Sequence, residues 1–448
     1  RSACRAAMCA AVRIEASARE FALEKHVAYF RKHMRELPSP YKSMDTNRLT
    51  LLYFCVSGLD LLGAIDIVDK AATIRFIYSL QSTVPDKGGF LGYPSVHFET
   101  EEQDRSNNQP HIANTYVALV MLMIIGDDLQ RVNREAMAHS LRQWQLPDGS
   151  FCCVHGISSL DSESDMRFVF CAAAICYILD LWDAIDVDGM FNFIVSSQNY
   201  DGAFGMGPMT EAHGGCTYCA LAALTMMGRL PAIVRKEQTI DWCIKRQTLG
   251  FQGRIEKDMD SCYSFWVGGS LNLLGMQGLI DMDACTSFLS QCESVRTGGF
   301  QKHPSVQVPD LLHSYFSVCG LSLCGLLQPM NAMLNMSERA YGAFIALAAA
   351  FKQDGAGPCF CRQAIGGASW TPPLADRIAR VAHVRAACPV GPAGEGPVAS
   401  GSSSSAGACD AAPAGDAAAD GLRAPAKRWW PRLFDTCSRR RPLTSECG

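Results

Sequence analysis

The sequence predicts an all-α protein in which about six helical hairpins close into an α/α toroid. Two observations lead to this prediction, and the first is a repeat. Five segments share one plan, in which a helical stretch reaches Gln and a glycine-containing turn closes on Phe, as in LRQWQLPDGSF and FIVSSQNYDGAF. Their glutamines recur at intervals of 64, 53, 49 and 44 residues, which is the period range of helical-hairpin repeats. They are Gln81, Gln145, Gln198, Gln247 and Gln291.

The second observation is the apolar character of the segments between these turns. Helical spacing with apolar residues on nearly every face marks NTYVALVMLMIIGDDL, CTYCALAALTMMG and LHSYFSVCGLSLCGLL. These segments are predicted to be inner helices, and the more polar segments before each Gln are expected outside them. Glycine ends the helix in a tight turn, and the following Phe is expected to fill the layer between helices. A linear solenoid is the alternative, but neither end of the repeat carries a polar capping unit.

Composition divides the chain into three parts. Residues 20–350 are expected to form the toroid, and residues 1–19 an N-terminal extension. Residues 351–448 are rich in Gly, Ala, Ser and Pro, so they bury too little apolar surface to fold and are expected to be a disordered, low-complexity tail.

The overall charge and the cysteines exclude several classes of protein. A formal net charge of −4 with 19% charged residues gives no general attraction to nucleic acid or to an anionic membrane. The 21 cysteines are scattered through apolar segments, which predicts reduced thiols in a cytoplasmic protein and not a disulfide scaffold. We find no secretory signal and no apolar run long enough for a membrane span.

Three residues near the starts of neighbouring inner helices suit a metal ion. Asp260 and Cys262 flank one residue in KDMDSCYSFW, and His313 lies in PDLLHSYF. One carboxylate, one thiolate and one imidazole make a three-ligand zinc set whose fourth position stays open, as catalytic zinc requires. The spacing alone is weak, because a capping Asp, a core Cys and a surface His would give the same pattern.

A second group of side chains suits a diphosphate. Arg254, Lys257 and Tyr263 surround the same segment, and His213 lies one repeat earlier in EAHGGCTY. Four such donors can neutralise a diphosphate leaving group without a glycine-rich phosphate loop, which the chain lacks. A solvated charged loop is the alternative reading of these residues.

Five segments together resemble the β subunit of protein prenyltransferases, and most of all that of the type I geranylgeranyl enzymes. They are HIANTYVALVMLMIIGDDLQRVNREA, DMRFVFCAAAICY, EAHGGCTYCALAAL, GFQGRIEKDMDSCYSFW and PDLLHSYFSVCGLSL. The resemblance extends from about Phe21 to about Leu327. It implies that a geranylgeranyl group passes from its diphosphate to the cysteine thiolate of a C-terminal CaaX sequence, with Leu favoured last. Small GTPases and similar proteins would be the substrates, and a prenyltransferase α subunit the obligate partner.

The resemblance also implies roles for individual residues. Zn²⁺ would be held by Asp260, Cys262 and His313. The diphosphate would be bound by His213, Arg254, Lys257 and Tyr263, of which Lys257 and Tyr263 would also be catalytic. The last residues of the CaaX peptide would lie near His111, Ala113, Glu163, Arg167 and Phe168.

Two positions bear on which lipid is used. Thr50 falls at a position where the farnesyl enzymes of the resembled family have Trp and the geranylgeranyl enzyme has Thr. The small side chain of Thr leaves room for a fourth isoprene unit. Phe54 and Trp266 would line the same pocket. Lys302, in GGFQKHP, falls where the farnesyl enzymes carry an Asp linked to magnesium, so we expect no Mg²⁺ requirement.

Other functions stay open at this point. A farnesyltransferase β subunit is one alternative, although Thr50 and Lys302 disagree with it. An inactive toroid that serves as a scaffold is another. Terpenoid cyclases share the toroid and the Q…GF repeats, but their D-x-D-D and D-D-x-x-D motifs are absent from this sequence.

Overall fold

The computed structural model describes residues 22–96, 99–100, 102–103, 108–154 and 163–353. The predicted N-terminal extension and nearly all of the predicted tail lie outside these ranges. None of the helices in the described ranges combines the length and the apolar character needed to cross a bilayer.

Described helices alternate between an outer and an inner layer, and the even-numbered ones are inner. In chain order they are α1 (Leu23–Arg35), α2 (Arg48–Leu61), α3 (Lys70–Ser79), α4 (Ile112–Ile125), α5 (Arg134–Trp144), α6 (Met166–Leu179), α7 (Val187–Ser196), α8 (Gly214–Met226), α9 (Lys236–Lys245), α10 (Tyr263–Leu273), α11 (Met282–Cys292) and α12 (Leu311–Leu323). Each inner helix packs against the next, and α12 packs back against α2. The ring is therefore closed, which confirms the predicted toroid and excludes the linear solenoid.

The two layers follow from the apolar pattern. In the inner helix α4 every residue is buried, and Gly126 ends the helix in the left-handed conformation with φ 86°. The outer helix α5 buries only one face, which includes Met137, Leu141 and Trp144. Asn133 caps it by accepting a hydrogen bond from the amide of Ala136.

The repeated Gln and Phe connect successive hairpins. In four repeats they form an isolated β-bridge, and these pairs are Gln81 with Phe90, Gln145 with Phe151, Gln198 with Phe204 and Gln247 with Phe251. The bridging phenylalanines are buried. The Gln145 side chain also accepts a hydrogen bond from the amide of Asp186 at 2.7 Å and donates to its carbonyl at 2.8 Å. Asp186 caps the next outer helix, so the glutamine ties one hairpin to the following one.

The prediction was wrong for the fifth repeat. Helix α11 continues past Gln291, and the side-chain amide of Gln291 donates to the Ser287 carbonyl within the helix. Glu293 makes the bridge to Phe300 in its place. Oε1 of Glu293 lies 2.9 Å from Nε2 of the buried His26 in α1. Because α1 is the next outer helix around the ring, this pair closes the toroid.

A C-terminal segment of the predicted toroid region, for which the sequence predicted no separate elements, occupies the inside of the ring. It forms a hairpin of β1 (Met330–Asn331) and β2 (Met336–Ser337), followed by α13 (Glu338–Gln353). The hairpin loop, Ala332–Asn335, is buried and accepts hydrogen bonds from tyrosine hydroxyls of the inner helices. One end of the ring is thus blocked by the chain's own backbone.

Candidate active site

The inner helices all begin at one end of the ring, which we call the mouth. Backbone hydrogen bonds join the start of each of five inner helices to the loop before the next one. The amide of Leu49 donates to Gly92, Ile112 to Cys153, Met166 to Met206, Gly214 to Gly253 and Ser261 to Lys302. Four of the six described inner helices are capped by a polar side chain at this end, and the caps are His111 on α4, Asp165 on α6, His213 on α8 and Asp310 on α12. Because the predicted chemical residues precede or begin inner helices, the fold gathers them at the mouth.

Asp260, Cys262 and His313 converge as the sequence predicted. One ligand atom from each lies within 4.8 Å of the others, and they are the one such group in the described part of the chain. Oδ1 of Asp260 lies 3.4 Å from Nε2 of His313 and accepts the amide hydrogen of Cys262 at 3.0 Å. Asp260 and Cys262 are buried.

Sequence analysis missed the residue that orients His313. Oδ2 of Asp310 lies 2.6 Å from Nδ1 of His313, and Oδ1 of the same carboxylate accepts the backbone amide of His313. Nε2 is therefore left facing Asp260 and Cys262. Metal-binding histidines are commonly held in this way by a carboxylate on the other ring nitrogen.

Close contact and burial shift the pKa values of the three residues. Burial, with a contribution from the carboxylate of Asp260, raises the pKa of the Cys262 thiol to about 12. Burial opposes ionisation of Asp260 as well, but the nearby His313 and the hydrogen bonds from Cys262 together outweigh it and hold the pKa of Asp260 below its ordinary value. The pKa of His313 is well above its ordinary value, because Asp310 and Asp260 outweigh the effect of burial. A buried thiol beside a carboxylate ionises readily when a divalent cation is close, and this donor set suits zinc.

His213 and Tyr263 form a hydrogen-bonded pair beside this group. Nδ1 of His213 accepts the amide of Gly215 at 3.0 Å, so the proton of the neutral ring lies on Nε2 and is donated to the Tyr263 hydroxyl at 2.9 Å. Burial, with a contribution from Arg254, lowers the pKa of His213 to about 3. The imidazole is therefore neutral at pH 7. The Tyr263 hydroxyl keeps its own proton for a further acceptor, because burial raises its pKa well above the ordinary value.

Arg254 reaches the mouth on the loop that follows Gly253. This loop passes so close to the Tyr263 ring that a Cβ at Gly253 would lie 2.1 Å from Cζ of that ring. Nη1 of Arg254 is 3.0 Å from Oε2 of Glu211, an ion pair that sequence analysis did not anticipate. Lys257 is half-buried further along the loop and makes no ion pair with other described residues. The structure thus brings three of the four predicted donors together and places the fourth on the same loop.

The predicted lipid residues belong to one aromatic wall. The Phe54 ring is 5.3 Å from Tyr315 and 5.8 Å from Phe316, and Phe316 is 4.3 Å from the Trp266 ring. Phe316 therefore links two predicted lipid residues on different helices.

Thr50 lies in the first turn of α2, at the mouth of the ring. It is buried, and its hydroxyl donates to Oδ1 of Asn114 at 3.0 Å. Lys302 also lies near the mouth, with Nζ 3.8 Å from Oδ2 of Asp260.

The predicted peptide residues lie at the adjoining starts of α4 and α6. The ring of Phe168 is 6.0 Å from the ring of His111, and both Phe168 and Ala113 are buried. The buried Arg167 donates from Nε to Asp165 at 2.8 Å and from Nη2 to Glu163 at 3.3 Å. All five predicted residues are therefore near one another.

Comparison with known proteins identifies relatives of the whole toroid. Residues 21–336 match the family model of the prenyltransferase alpha-alpha toroid domain. The chain is 40% identical to the geranylgeranyl transferase type-1 subunit beta of Arabidopsis thaliana over 324 residues, which cover 68% of this chain and 85% of the relative. It is 39% identical to the Dictyostelium discoideum protein of the same name over 344 residues, covering 71% and 96%.

A farnesyl relative and a solved structure extend this comparison. The protein farnesyltransferase subunit beta of Arabidopsis thaliana is 32% identical over 259 residues, covering 57% of this chain and 50% of the relative. Candida albicans protein geranylgeranyltransferase-I complexed with GGPP resembles the structure with a TM-score of 0.66 at 25% identity, covering 73% of this chain and 99% of that one.

Proposed function

This chain belongs to the prenyltransferase α-α toroid family, and we propose that it is the catalytic β subunit of a zinc-dependent protein geranylgeranyltransferase of type I. The observation that carries the proposal is the convergence of Asp260, Cys262 and His313 beside the His213–Tyr263 pair. A three-ligand metal group next to anion-binding donors suits the joining of a thiol to a diphosphate ester. The relatives named for the geranylgeranyl reaction share more identity with this chain than the farnesyl relative does.

Asp260, Cys262 and His313 would hold the zinc ion. Zinc, when bound, supplies the charge that lowers the pKa of a cysteine thiol of the protein substrate, so that the thiol ionises at neutral pH. Asp310 holds the ring of His313 in the orientation and tautomer that ligation requires.

His213, Tyr263, Arg254 and Lys257 would bind the diphosphate of the lipid. The substrate thiolate attacks C1 of the geranylgeranyl group, so that an S–C1 bond forms while the C1–O bond breaks and its electron pair leaves with the diphosphate. Tyr263 donates its hydroxyl proton to the departing oxygens as a hydrogen bond, and His213 supports this by donating to the Tyr263 oxygen. Preorganised donors of this kind stabilise charge that develops in the transition state.

Lys302 would replace a magnesium ion. Its ammonium group lies near the mouth, 3.8 Å from Asp260, where it adds positive charge for the diphosphate. We therefore propose that Mg²⁺ is not required.

The partners are also part of the proposal. A prenyltransferase α subunit would complete the enzyme, and CaaX proteins such as small GTPases would place their last residues between His111, Ala113, Glu163, Arg167 and Phe168. A cytoplasmic location agrees with the free thiols of buried cysteines such as Cys171, Cys176 and Cys319.

A competition assay tests the proposed function. The chain is co-expressed with an α subunit, and equal farnesyl and geranylgeranyl diphosphate are offered with a CaaX peptide ending in Leu, with zinc, in the presence and absence of Mg²⁺. We expect geranylgeranyl transfer that persists without Mg²⁺. Farnesyl transfer that depends on Mg²⁺ would contradict the lipid and metal assignments, and a stable zinc-loaded heterodimer with no transfer would favour the scaffold alternative.

A further inference from the structure

The proposed lipid path crosses the ring near its mouth. His213 caps α8, Tyr263 is the first residue of α10, and Thr50 lies in the first turn of α2. In the ring, α12 separates α10 from α2. A lipid whose diphosphate is bound at His213 and Tyr263 and whose far end reaches Thr50 therefore runs sideways across the ring, and whatever lies below it limits its room.

The hairpin loop Ala332–Asn335 lies deeper in the ring than this path, farther from the mouth. Its carbonyl groups accept hydrogen bonds from four tyrosine hydroxyls, at distances between 2.6 and 3.0 Å. Tyr218 donates to Ala332, Tyr116 to Leu334, and both Tyr53 and Tyr315 to Asn335. Three of the tyrosines are the fifth residue of their helix. At a rise of about 1.5 Å per residue, they stand only about one and a half turns from the mouth.

The same tyrosines touch the proposed lipid wall. The Tyr218 ring is 5.2 Å from the Trp266 ring, and the Tyr315 ring is 5.3 Å from the Phe54 ring. Their rings therefore lie against the residues that would contact the lipid, while their hydroxyls hold the loop. A shift of the loop would therefore move the tyrosine rings and change their contacts with Trp266 and Phe54.

The loop is also fastened from the far end of the ring. Asp60, near the end of α2, accepts hydrogen bonds from the Ser337 hydroxyl and, at 2.9 Å, from Nε of Arg339. Nη2 of Arg339 donates to the carbonyl of Ile124 at 2.8 Å, near the end of α4. Anchors on both sides fix the height of the loop between the inner helices.

We propose that Ala332–Asn335 is the floor of the lipid site, and that the four tyrosine hydroxyls set its height and so help to select the length of the prenyl chain. This inference rests on the proposed function and extends it, because Thr50 would then share chain-length selection with a segment distant in sequence. Apolar discrimination depends on the space left for a few carbon atoms, so a small change in floor height alters the preference.

The first test adds volume to the floor. In the heterodimer with an α subunit, Ala332→Leu should lower kcat/KM for geranylgeranyl diphosphate by about tenfold or more, since the longer lipid needs the space. The value for farnesyl diphosphate should change much less. Binding of each diphosphate, followed by quenching of tryptophan fluorescence, should shift in the same way.

The second test loosens the floor with little change in its shape. The double variant Tyr116→Phe/Tyr218→Phe removes two hydroxyls and keeps the rings, and it should change the geranylgeranyl-to-farnesyl ratio of kcat/KM by about threefold or more. The matched control is Tyr177→Phe, since the hydroxyl of Tyr177 lies 2.8 Å from that of Tyr341 in α13 and not on the loop. The control should leave the ratio unchanged.

The outcomes separate the floor from the proposed function. A wild-type heterodimer that binds and transfers neither lipid overturns both. An active wild type whose lipid ratio is the same in Ala332→Leu and in the double variant overturns the floor alone, as does an equal fall for both lipids. If Ala332→Leu fails to fold, the double variant decides, because it adds no atoms.

Discussion

The two ends of the ring use the same inner helices for opposite purposes. At the mouth the helices begin, and their free N–H groups and positive dipole ends favour anions. Polar caps such as His213 and Asp310 occupy this end. At the far end, carbonyls near the ends of α2 and α4 are covered by donors, with the amide of Gln328 on Leu61 and the guanidinium of Arg339 on Ile124. Helix direction therefore favours an anion at one end and closure by the chain itself at the other, and donors such as His213 and Tyr263 add to the first effect.

The largest effect is expected from removing one of the three proposed zinc ligands at the mouth. Cys262→Ala should abolish bound zinc and lower transfer by about a thousandfold, because the metal supplies several kcal/mol of charge stabilisation. Zinc content by atomic absorption and single-turnover transfer measure the two effects.

Cys319→Ala is the matched control for that substitution. Cys319 is another buried thiol of an inner helix, and its Sγ lies 3.5 Å from Oδ1 of Asn335 at the blocked part of the ring. Its substitution should leave the zinc content intact. Equal zinc loss in both variants would contradict the assigned metal site.

The next effect concerns Asp310, which holds His313 without being one of the three proposed ligands. Asp310→Asn can still cap α12 through its amide oxygen, but its amide nitrogen cannot accept the Nδ1 proton of a ligating histidine as the second carboxylate oxygen does. Zinc affinity should fall by about ten- to a hundredfold. Competition with a zinc chelator measures this change. An unchanged affinity would mean that Asp310 serves only as a helix cap.

The structure shows how far sequence reasoning reached. The inner helices were predictable because apolar residues on all faces leave no surface for solvent. The spacing of Asp260, Cys262 and His313 was weak by itself, and the family resemblance was what singled them out as a metal group. The error at Gln291 arose because residues 291 and 293 both lie close to the helix end, and sequence cannot place such an end to within two residues. The loop Ala332–Asn335 was missed because its tyrosine anchors, such as Tyr116 and Tyr218, look like ordinary core aromatics.

A third prediction concerns the pH dependence of folding stability, to which His213 at the mouth contributes. The pKa of His213 falls from 6.5 to about 3 on folding. As the pH is lowered, His213 is therefore protonated in the unfolded chain before it is protonated in the folded one. Stability should therefore decrease as the pH falls below 6.5, by about 2 kcal/mol from this residue between pH 7 and pH 5. Arg254 and Arg167 near the ring oppose its protonation, and Asp260 favours it less strongly.

His213→Asn tests this contribution, because Asn also caps a helix start. The variant should lose less stability than the wild type between pH 7 and pH 5 in urea unfolding. The difference between the two slopes is the measurement, since other groups, including His111, give both proteins a remaining pH dependence. Identical slopes would contradict the assignment of a neutral, buried His213.

The smallest effect is expected from Glu293, a charge on the mouth side that takes no part in the proposed chemistry. Glu293→Gln places in the closing repeat the residue that the other repeats have, and its amide oxygen can still accept from His26 and Ala22. Because a charge-assisted hydrogen bond becomes a neutral one, unfolding should become easier by about 1 kcal/mol, with transfer per folded molecule unchanged. Glu293→Ala should cost more stability, since it removes the carboxylate oxygen that lies 2.9 Å from Nε2 of the buried His26. A loss of transfer in Glu293→Gln at full stability would show that charge on the mouth side matters even away from the metal and diphosphate groups.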